Sequence, residues 1–376
     1  MKKIEMVDLK GQYENIKEQV NQSVLETIES TMFINGPWVK SFKEHLEKYL
    51  EIKHVIPCAN GTDALQIALM SLGLKPGDEV ITADFTFAAT VEVISLLGLT
   101  PVLVDVDPET FNIDVTSIEK VIGPKTKAII PVHLFGQVAD MEQILALAKK
   151  NNLYVVEDNA QSIGADYTFS DGRKKKTGTL GHIGTTSFFP SKNLGAYGDG
   201  GAIFTNDDKL AHTIRGMVNH GMYIRYQHDV VGVNSRLDSI QAAILDIKLN
   251  YLDIYNESRK AAALKYNQCL ANHPHLITPF RKGDRDSHVY HQYTLKVIDG
   301  DRDGLVKHLN KNNIPCGIYY PIPLHLQKAY TSENFKSDDF KVTTEIVNQV
   351  ISLPMHTELA DRQIDFITDT VKAFFG

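Results

Sequence analysis

The sequence predicts an α/β protein with a mostly parallel central sheet flanked by helices, followed by a smaller C-terminal α+β domain. Three observations predict it. From residue 54 to about 205, short and nearly continuous apolar runs alternate with helical segments, the pattern of strands buried on both faces of a sheet. A length of 376 residues suits two domains. Hydrophobic residues make up 43% and charged residues 23%, an ordinary globular mix that sets aside collagenous, disordered and low-complexity classes.

The elements follow in order. Apolar spacing from about residue 10 to 50 is helical and breaks at Phe33-Ile34-Asn35-Gly36-Pro37, where the Gly-Pro pair ends one helix and starts the next. His54–Cys58 reads as a strand, Ala59–Asp63 as a loop and Ala64–Met70 as a helix. Further strands are expected at Glu79–Thr82, Pro101–Asp105, Ala128–Val132 and Leu153–Asp158, separated by helices such as Val91–Leu97 and Met141–Lys149. Two more, Gly184–Phe189 and Gly201–Thr205, flank a glycine-rich connection. One long helix is expected from Leu237 to about Leu270, then a strand at Tyr290–Val297 and another segment at Cys316–Tyr320. The domains are expected to be residues 1–248 and 249–376.

Charge and cysteine content exclude several functions. Lys and Arg number 39 against 46 Asp and Glu, a net charge of −7, whereas a nucleic-acid or anionic-membrane binder usually carries a basic patch. The cysteines Cys58, Cys269 and Cys316 form no C-x-x-C pair, which opposes a zinc ribbon, an iron–sulfur cluster or a disulfide framework. No metal site is expected. The N-terminus lacks the apolar run of a signal peptide, and no stretch approaches the ~20 apolar residues of a membrane helix. A cytoplasmic enzyme is the expectation.

In a parallel α/β sheet the chemistry gathers at the carboxyl ends of the strands, and several candidates fall there. Lys192 follows a strand end and is itself followed by four glycines, at 195, 198, 200 and 201; a lysine so placed can form a Schiff base, or it is a surface charge beside a turn. Asp158 ends an apolar strand and can pair with a protonated ring nitrogen, or simply cap the next turn. Gly61 and Thr62 open a helix whose free N–H groups can hold a phosphate, or they form an ordinary helix start. An aromatic in Phe85-Thr86-Phe87 can stack on a flat ring or belong to the core. Asn234 and Arg236 precede another helix and can bind phosphate or carboxylate, or Arg236 serves a structural ion pair. Together these are the parts needed for one cofactor, pyridoxal phosphate, whose protonated ring is an electron sink.

The order of motifs resembles that of the DegT/StrS-type sugar aminotransferases, fold-type I pyridoxal-phosphate enzymes acting on nucleotide-linked keto sugars. The resemblance runs nearly end to end. It is carried by Phe33–Pro37, Ala59–Leu65, Pro131–Gln137, Glu157–Ser162, Ser187–Lys192, Gly232–Leu237, Tyr320–His325 and Ser352–His356. It implies that Lys192 is the Schiff-base lysine and proton carrier, that Asp158 pairs with the pyridinium, and that Gln161 and Phe87 lie on either side of the ring. Gly61, Thr62 and Ser187 would hold the phosphate. Asn234 would reach the phosphate of a neighbouring subunit, so a homodimer with shared sites is implied, cycling between pyridoxal 5′-phosphate and pyridoxamine 5′-phosphate.

The implied reaction transfers an amino group from L-glutamate to a nucleotide-diphosphate keto sugar, giving an amino sugar for cell-surface polysaccharide. The wording is closest to enzymes that aminate C3 of UDP-3-oxo-N-acetylglucosaminuronate. There, the Asn-Ser-Arg segment and a His-Tyr-Pro segment contact the acidic sugar. Here Arg236 is kept, but the second segment reads Tyr319-Tyr320-Pro321. A neutral tyrosine offers a carboxylate one hydrogen bond and no charge. UDP-linked uronates, dTDP-linked 3-oxo-6-deoxy sugars and C4-keto sugars all stay open. Phe33, Arg236, Tyr319, Tyr320 and His325 are the substrate-site candidates, and His220, Arg225 and Tyr226 are further positions for the mouth of the site. Relatives that act as dehydratases replace the lysine with histidine, which Lys192 opposes, and a non-catalytic regulatory paralogue is a further alternative. A nicotinamide dehydrogenase is opposed by the missing glycine fingerprint.

Overall fold

The computed structural model describes residues 2–331 and 335–376. Two helices lead, α1 (Leu9–Ser30) and α2 (Pro37–Leu50). Then come β1 (His54–Cys58), α3 (Gly61–Ser71), β2 (Glu79–Ala83), α4 (Ala89–Leu96), β3 (Thr100–Val104), α5 (Val115–Val121) and β4 (Thr126–Ile130). The chain continues through α6 (Met141–Asn151), β5 (Tyr154–Asp158), the short pair β6 (Asp166–Thr168) and β7 (Lys174–Lys176), then β8 (Ile183–Ser187), β9 (Gly201–Thr205) and α7 (Asp208–Met217). A small hairpin, β10 (Met222–Ile224) and β11 (Gln227–His228), precedes α8 (Ser239–Leu249) and α9 (Leu252–Leu270). The remainder holds β12 (Leu276–Ile277), β13 (Tyr293–Val297), α10 (Arg302–Lys311), α11 (Lys341–Gln349), β14 (Val350–Leu353) and α12 (Asp361–Phe375).

The main sheet has seven strands in the order β1-β9-β8-β5-β4-β2-β3. All run in one sense except β9, which lies antiparallel between β1 and β8. Both faces are covered, and the strand residues show it. Val80, Ala128, Ile130 and Val156 join one core with α3, α4 and α7, while Ile81, Ile129 and Val155 point into the other with α5 and α6. Successive residues of a strand face opposite sides, so continuous apolar runs are what such strands need. A third core lies among α9, α10, α12 and the strands β12-β13-β14.

Two expectations change. The long helix is two helices, because Asn250 turns its side-chain amide back onto the carbonyls of Asp246 and Ile247; local bonding of this kind competes with helix continuation. The expected strand at 290 begins only at Tyr293, since Tyr290 has φ of 45°, outside the extended region. The segment Cys316–Tyr320 makes one isolated bridge, Gly317 with Ser352. Among the described residues no helix is long and apolar enough to cross a membrane, and no cluster of His, Cys, Asp and Glu is arranged to hold a metal.

Candidate active site

A cavity of about 760 Å³ opens at the carboxyl ends of β1, β2, β4, β5 and β8, where an open α/β sheet exposes its loops and helix starts. Gly61, Thr62, Phe87, Asp158, Gln161, Ser187, Lys192, Tyr319 and Tyr320 all line it. These residues span more than 250 positions in the sequence, and the sheet brings them to one place.

Asp158 ends β5 with its carboxylate buried. Oδ1 accepts from the Ala160 N–H at 3.1 Å and Oδ2 from the Thr90 hydroxyl at 2.9 Å. Burial pushes its pKa up, and these two donors pull the other way. The preceding Glu157 points to the opposite face. Its carboxylate accepts from the N–H groups of Gly178, Leu180 and Gly181 and bonds His133 at 3.0 Å. His133 Nδ1 accepts from the Ala139 N–H, so its Nε2 carries the proton that Glu157 receives. Of the two adjacent carboxylates, only Asp158 faces the cavity.

Lys192 is half-buried, and its amine has no hydrogen-bond or ion-pair partner among the described residues. Burial pushes its pKa down to about 8, opposed by the charge of Asp158. The amine thus has a nucleophilic neutral fraction at physiological pH, the property a Schiff-base lysine needs. Gln161 is fixed from both ends: its Oε1 accepts from the Phe135 N–H at 2.6 Å, and its Nε2 donates to the Tyr320 hydroxyl at 3.2 Å. Burial raises the Tyr320 phenol, so it stays protonated. Phe87 leans towards Tyr320 with ring centroids 6.0 Å apart and remains 56% exposed, leaving a free aromatic face.

The start of α3 is shaped as an anion cradle. Asn60 caps it by accepting from the Asp63 N–H at 2.8 Å, which leaves the N–H groups of Gly61 and Thr62 for a ligand. Ser187 at the end of β8 packs so close that a Cβ on Gly61 would lie 2.6 Å from the Ser187 Cβ. Glycine is needed here for close approach rather than for turn geometry.

Sequence reasoning missed Thr90, which the chain places on α4 with its hydroxyl on Asp158, and also Thr86, His291 and Gln292. Thr86 Oγ1, His291 Nδ1 and Gln292 Oε1 are buried without hydrogen-bond partners, and all three residues line the cavity. Burial, with Lys192 and Arg259 nearby, drives the His291 pKa well down, so this imidazole is neutral. Orphaned buried polar atoms are uncommon, and three of those among the described residues belong to the lining of this one cavity. Only a Thr beside Phe87 and a His in an apolar run could have signalled them. The helix-start donors, the close-packed glycine, the buried carboxylate and the unpartnered lysine fit the chemistry of pyridoxal phosphate.

Four expected residues lie elsewhere in this chain. Asn234 is exposed, in a bridge with Asn219. Arg236 donates to Asn219 at 3.3 Å and lines a separate cleft with Arg215 and Lys43. Phe33 is exposed, its carbonyl accepting from the Ser239 N–H. His325 is buried, its backbone N–H and its Nδ1 both bonded to the Asp84 carboxylate and its ring stacked on Phe340. His220 is exposed just before the β10–β11 hairpin, and Arg225 and Tyr226 are exposed at its turn.

Fold and site together define a pyridoxal-phosphate-type transferase, with an unpartnered lysine and a buried carboxylate in one cavity at the strand ends of a mostly parallel sheet. The chain belongs to the DegT/DnrJ/EryC1/StrS aminotransferase family, whose model matches residues 14–372. It is 45% identical to a UDP-2-acetamido-2-deoxy-3-oxo-D-glucuronate aminotransferase of Pseudomonas aeruginosa, covering 97% of this chain and 98% of that protein. It is equally 45% identical to a pleiotropic regulatory protein of Geobacillus stearothermophilus, over 99% and 98% of the two chains. A crystal structure of a family aminotransferase from Brucella abortus superposes with a TM-score of 0.94 at 40% identity, covering 99% of this chain and 100% of that one.

Proposed function

We propose that this aminotransferase moves an amino group from L-glutamate to the keto carbon, C3 in preference to C4, of a UDP- or dTDP-linked sugar. The observation that carries the reading is the pairing, in one cavity, of an unpartnered low-pKa Lys192 with the buried carboxylate of Asp158. Pyridoxal 5′-phosphate, when bound, supplies an electron sink that stabilises negative charge on the donor's α-carbon. Asp158 holds the proton on the ring nitrogen, with Thr90 and the Ala160 N–H keeping its carboxylate charged. Gly61, Thr62 and Ser187 bind the phosphate. Phe87 and Gln161 confine the ring. Lys192, released from its covalent role, carries the proton between donor and cofactor as general acid/base.

Tyr319 and Tyr320 face the sugar. A neutral tyrosine pair suits hydroxyl groups at least as well as a carboxylate, which favours breadth between uronate and 6-deoxy sugars. The working unit is a homodimer. Exposed apolar residues Leu25, Ile28, Met32, Phe33 and Ile34 form a surface that a monomer would leave wet, and Asn234 and Arg236 act in the partner's cavity. The likeness to a regulatory protein leaves a non-catalytic role as the second reading, opposed by the intact lysine and aspartate.

The test is a panel of UDP- and dTDP-linked 3-keto and 4-keto sugars, with and without a C6 carboxylate, offered to the enzyme after glutamate treatment. Glutamate-dependent loss of the yellow absorbance, and its return with a 3-keto sugar, are expected. A purified chain that glutamate does not bleach refutes the donor, and bleaching reversed only by 4-keto sugars refutes the C3 assignment.

A further inference from the structure

Behind the cavity, a buried amide pair, Asn256 on α9 and Asn193 beside the lysine, joins three of its walls. Asn193, next to Lys192, is 3% exposed, and its amide nitrogen donates to Asn256 Oδ1 at 2.7 Å and to the Val289 carbonyl at 3.1 Å. Asn256, 2% exposed, donates in turn to the Ile163 carbonyl at 3.2 Å. Ile163 lies two residues beyond Gln161, and Val289 two residues before His291. One amide pair therefore ties the segment bearing the lysine to the segment bearing Gln161 and to the segment bearing His291.

Neighbouring contacts support the same geometry. Gly164 leaves room for this approach, because a Cβ there would lie 2.5 Å from Asn256 Nδ2. One turn further along α9, the guanidinium of Arg259 donates to the carbonyls of Tyr290, His291 and Met355, each at 3.2 Å. From α8, the buried amine of Lys248 donates to the Gly195 carbonyl. Side chains that bond backbone carbonyls in a dry interior fix the loops that own them, since an unmade bond there costs the full desolvation of both groups.

We propose that Asn256, through Asn193, is a positioning residue that sets where the Lys192 amine stands relative to Gln161 and His291. It touches none of the reacting atoms. It works by holding the backbone on either side of the cavity at fixed separation, and small displacements of a reacting group cost rate steeply. The inference rests on Lys192 being the cofactor-bearing lysine.

The experiment uses the cofactor-loaded enzyme. Asn256→Leu keeps the side-chain branching and removes both hydrogen bonds, and Asn193→Ala breaks the same pair from the loop side. Each variant is expected to lower kcat about tenfold while changing the KM for the amino donor less than about twofold. Each is also expected to shift the pH midpoint of the borohydride-reducible absorbance band, a readout that a merely structural residue would leave in place. The double variant should lose less than the sum of the two single losses, because both break the Asn193–Asn256 contact and each breaks only one further bond of its own. Folded variants with unchanged kcat and band midpoint, or strictly additive losses, overturn the proposal. If Asn256→Leu does not fold, Asn193→Ala carries the test alone. A wild-type chain without a Lys192-dependent reducible band is a different failure, one that refutes the role given to Lys192 itself.

Discussion

Replacing Thr90 with valine removes a single hydroxyl and tests how the ring-nitrogen partner is kept charged. Thr90 is fully buried on α4, and its hydroxyl supplies one of the two hydrogen bonds to the Asp158 side chain, 2.9 Å from Oδ2. Valine has nearly the same shape. A hydrogen bond to a charged group is worth about 1.5–3 kcal/mol, and one pKa unit corresponds to about 1.4 kcal/mol. Losing this donor should therefore disfavour the carboxylate by about 1.5–3 kcal/mol and push the Asp158 pKa further up. The sign follows from the charge: the bond favours the carboxylate, burial already disfavours it, and its loss favours the neutral acid further. A neutral acid no longer holds the cofactor's ring proton electrostatically. The acid limb of the pH–rate profile in Thr90→Val should move to higher pH, and kcat at pH 7 should fall at least about tenfold. Stopped-flow measurement of the glutamate half-reaction from pH 5 to 9 reads both, with thermal unfolding as the control for folding. A profile that superimposes on that of wild type refutes the argument, because Thr90 would then contribute nothing to the state of Asp158.

Other outcomes follow from the same geometry. Lys192→Ala should abolish turnover together with the borohydride-reducible absorbance, and persistence of either refutes the Schiff-base role. In the cofactor-free chain, Lys192 titrates near 8 against an ordinary 10.5. The unfolded chain then binds more protons between these values, so this amine's contribution to stability is complete above about pH 10.5 and is lost as the pH falls through 8. Thermal melts of the cofactor-free wild type should show a rise across that window that Lys192→Met lacks, and identical slopes would contradict the depressed pKa. Gly61→Ala should weaken cofactor binding and cost about 1–3 kcal/mol of stability by overpacking against Ser187. Equilibrium dialysis and chemical denaturation read the two effects, and an unchanged affinity would mean that α3 does not approach the phosphate closely.

Much of the architecture is legible in the chain. Buried parallel strands must be apolar on both faces, so β1 to β5, β8 and β9 stand out as short hydrophobic runs, and the glycines after Lys192 mark a backbone under close approach. Residues at strand ends were found because strand ends are visible in sequence and chemistry collects there. Less visible was anything set by local competition. Asn250 breaks what reads as one helix because its side chain bonds carbonyls a turn behind it, and apolar periodicity does not record that.

The site divides along the same line. Lys192, Asp158, Gly61, Thr62 and Ser187 could be named from the sequence, because each needs a particular residue type at the end of an element. What the sequence did not determine is who touches whom. Thr90 meets Asp158 across 68 positions, Gln161 meets Tyr320 across 159, and Asn193 meets Asn256 across 63. His325 shows the converse, a plausible substrate ligand that the fold commits to Asp84 instead. Local backbone preference and hydrophobic pattern are properties of neighbouring residues, so a sequence carries them directly. The protonation of Asp158, the freedom of the Lys192 amine and the fixing of the cavity walls depend on burial and on partners from distant segments, and these exist only once the sheet has closed and α8 and α9 have packed behind it.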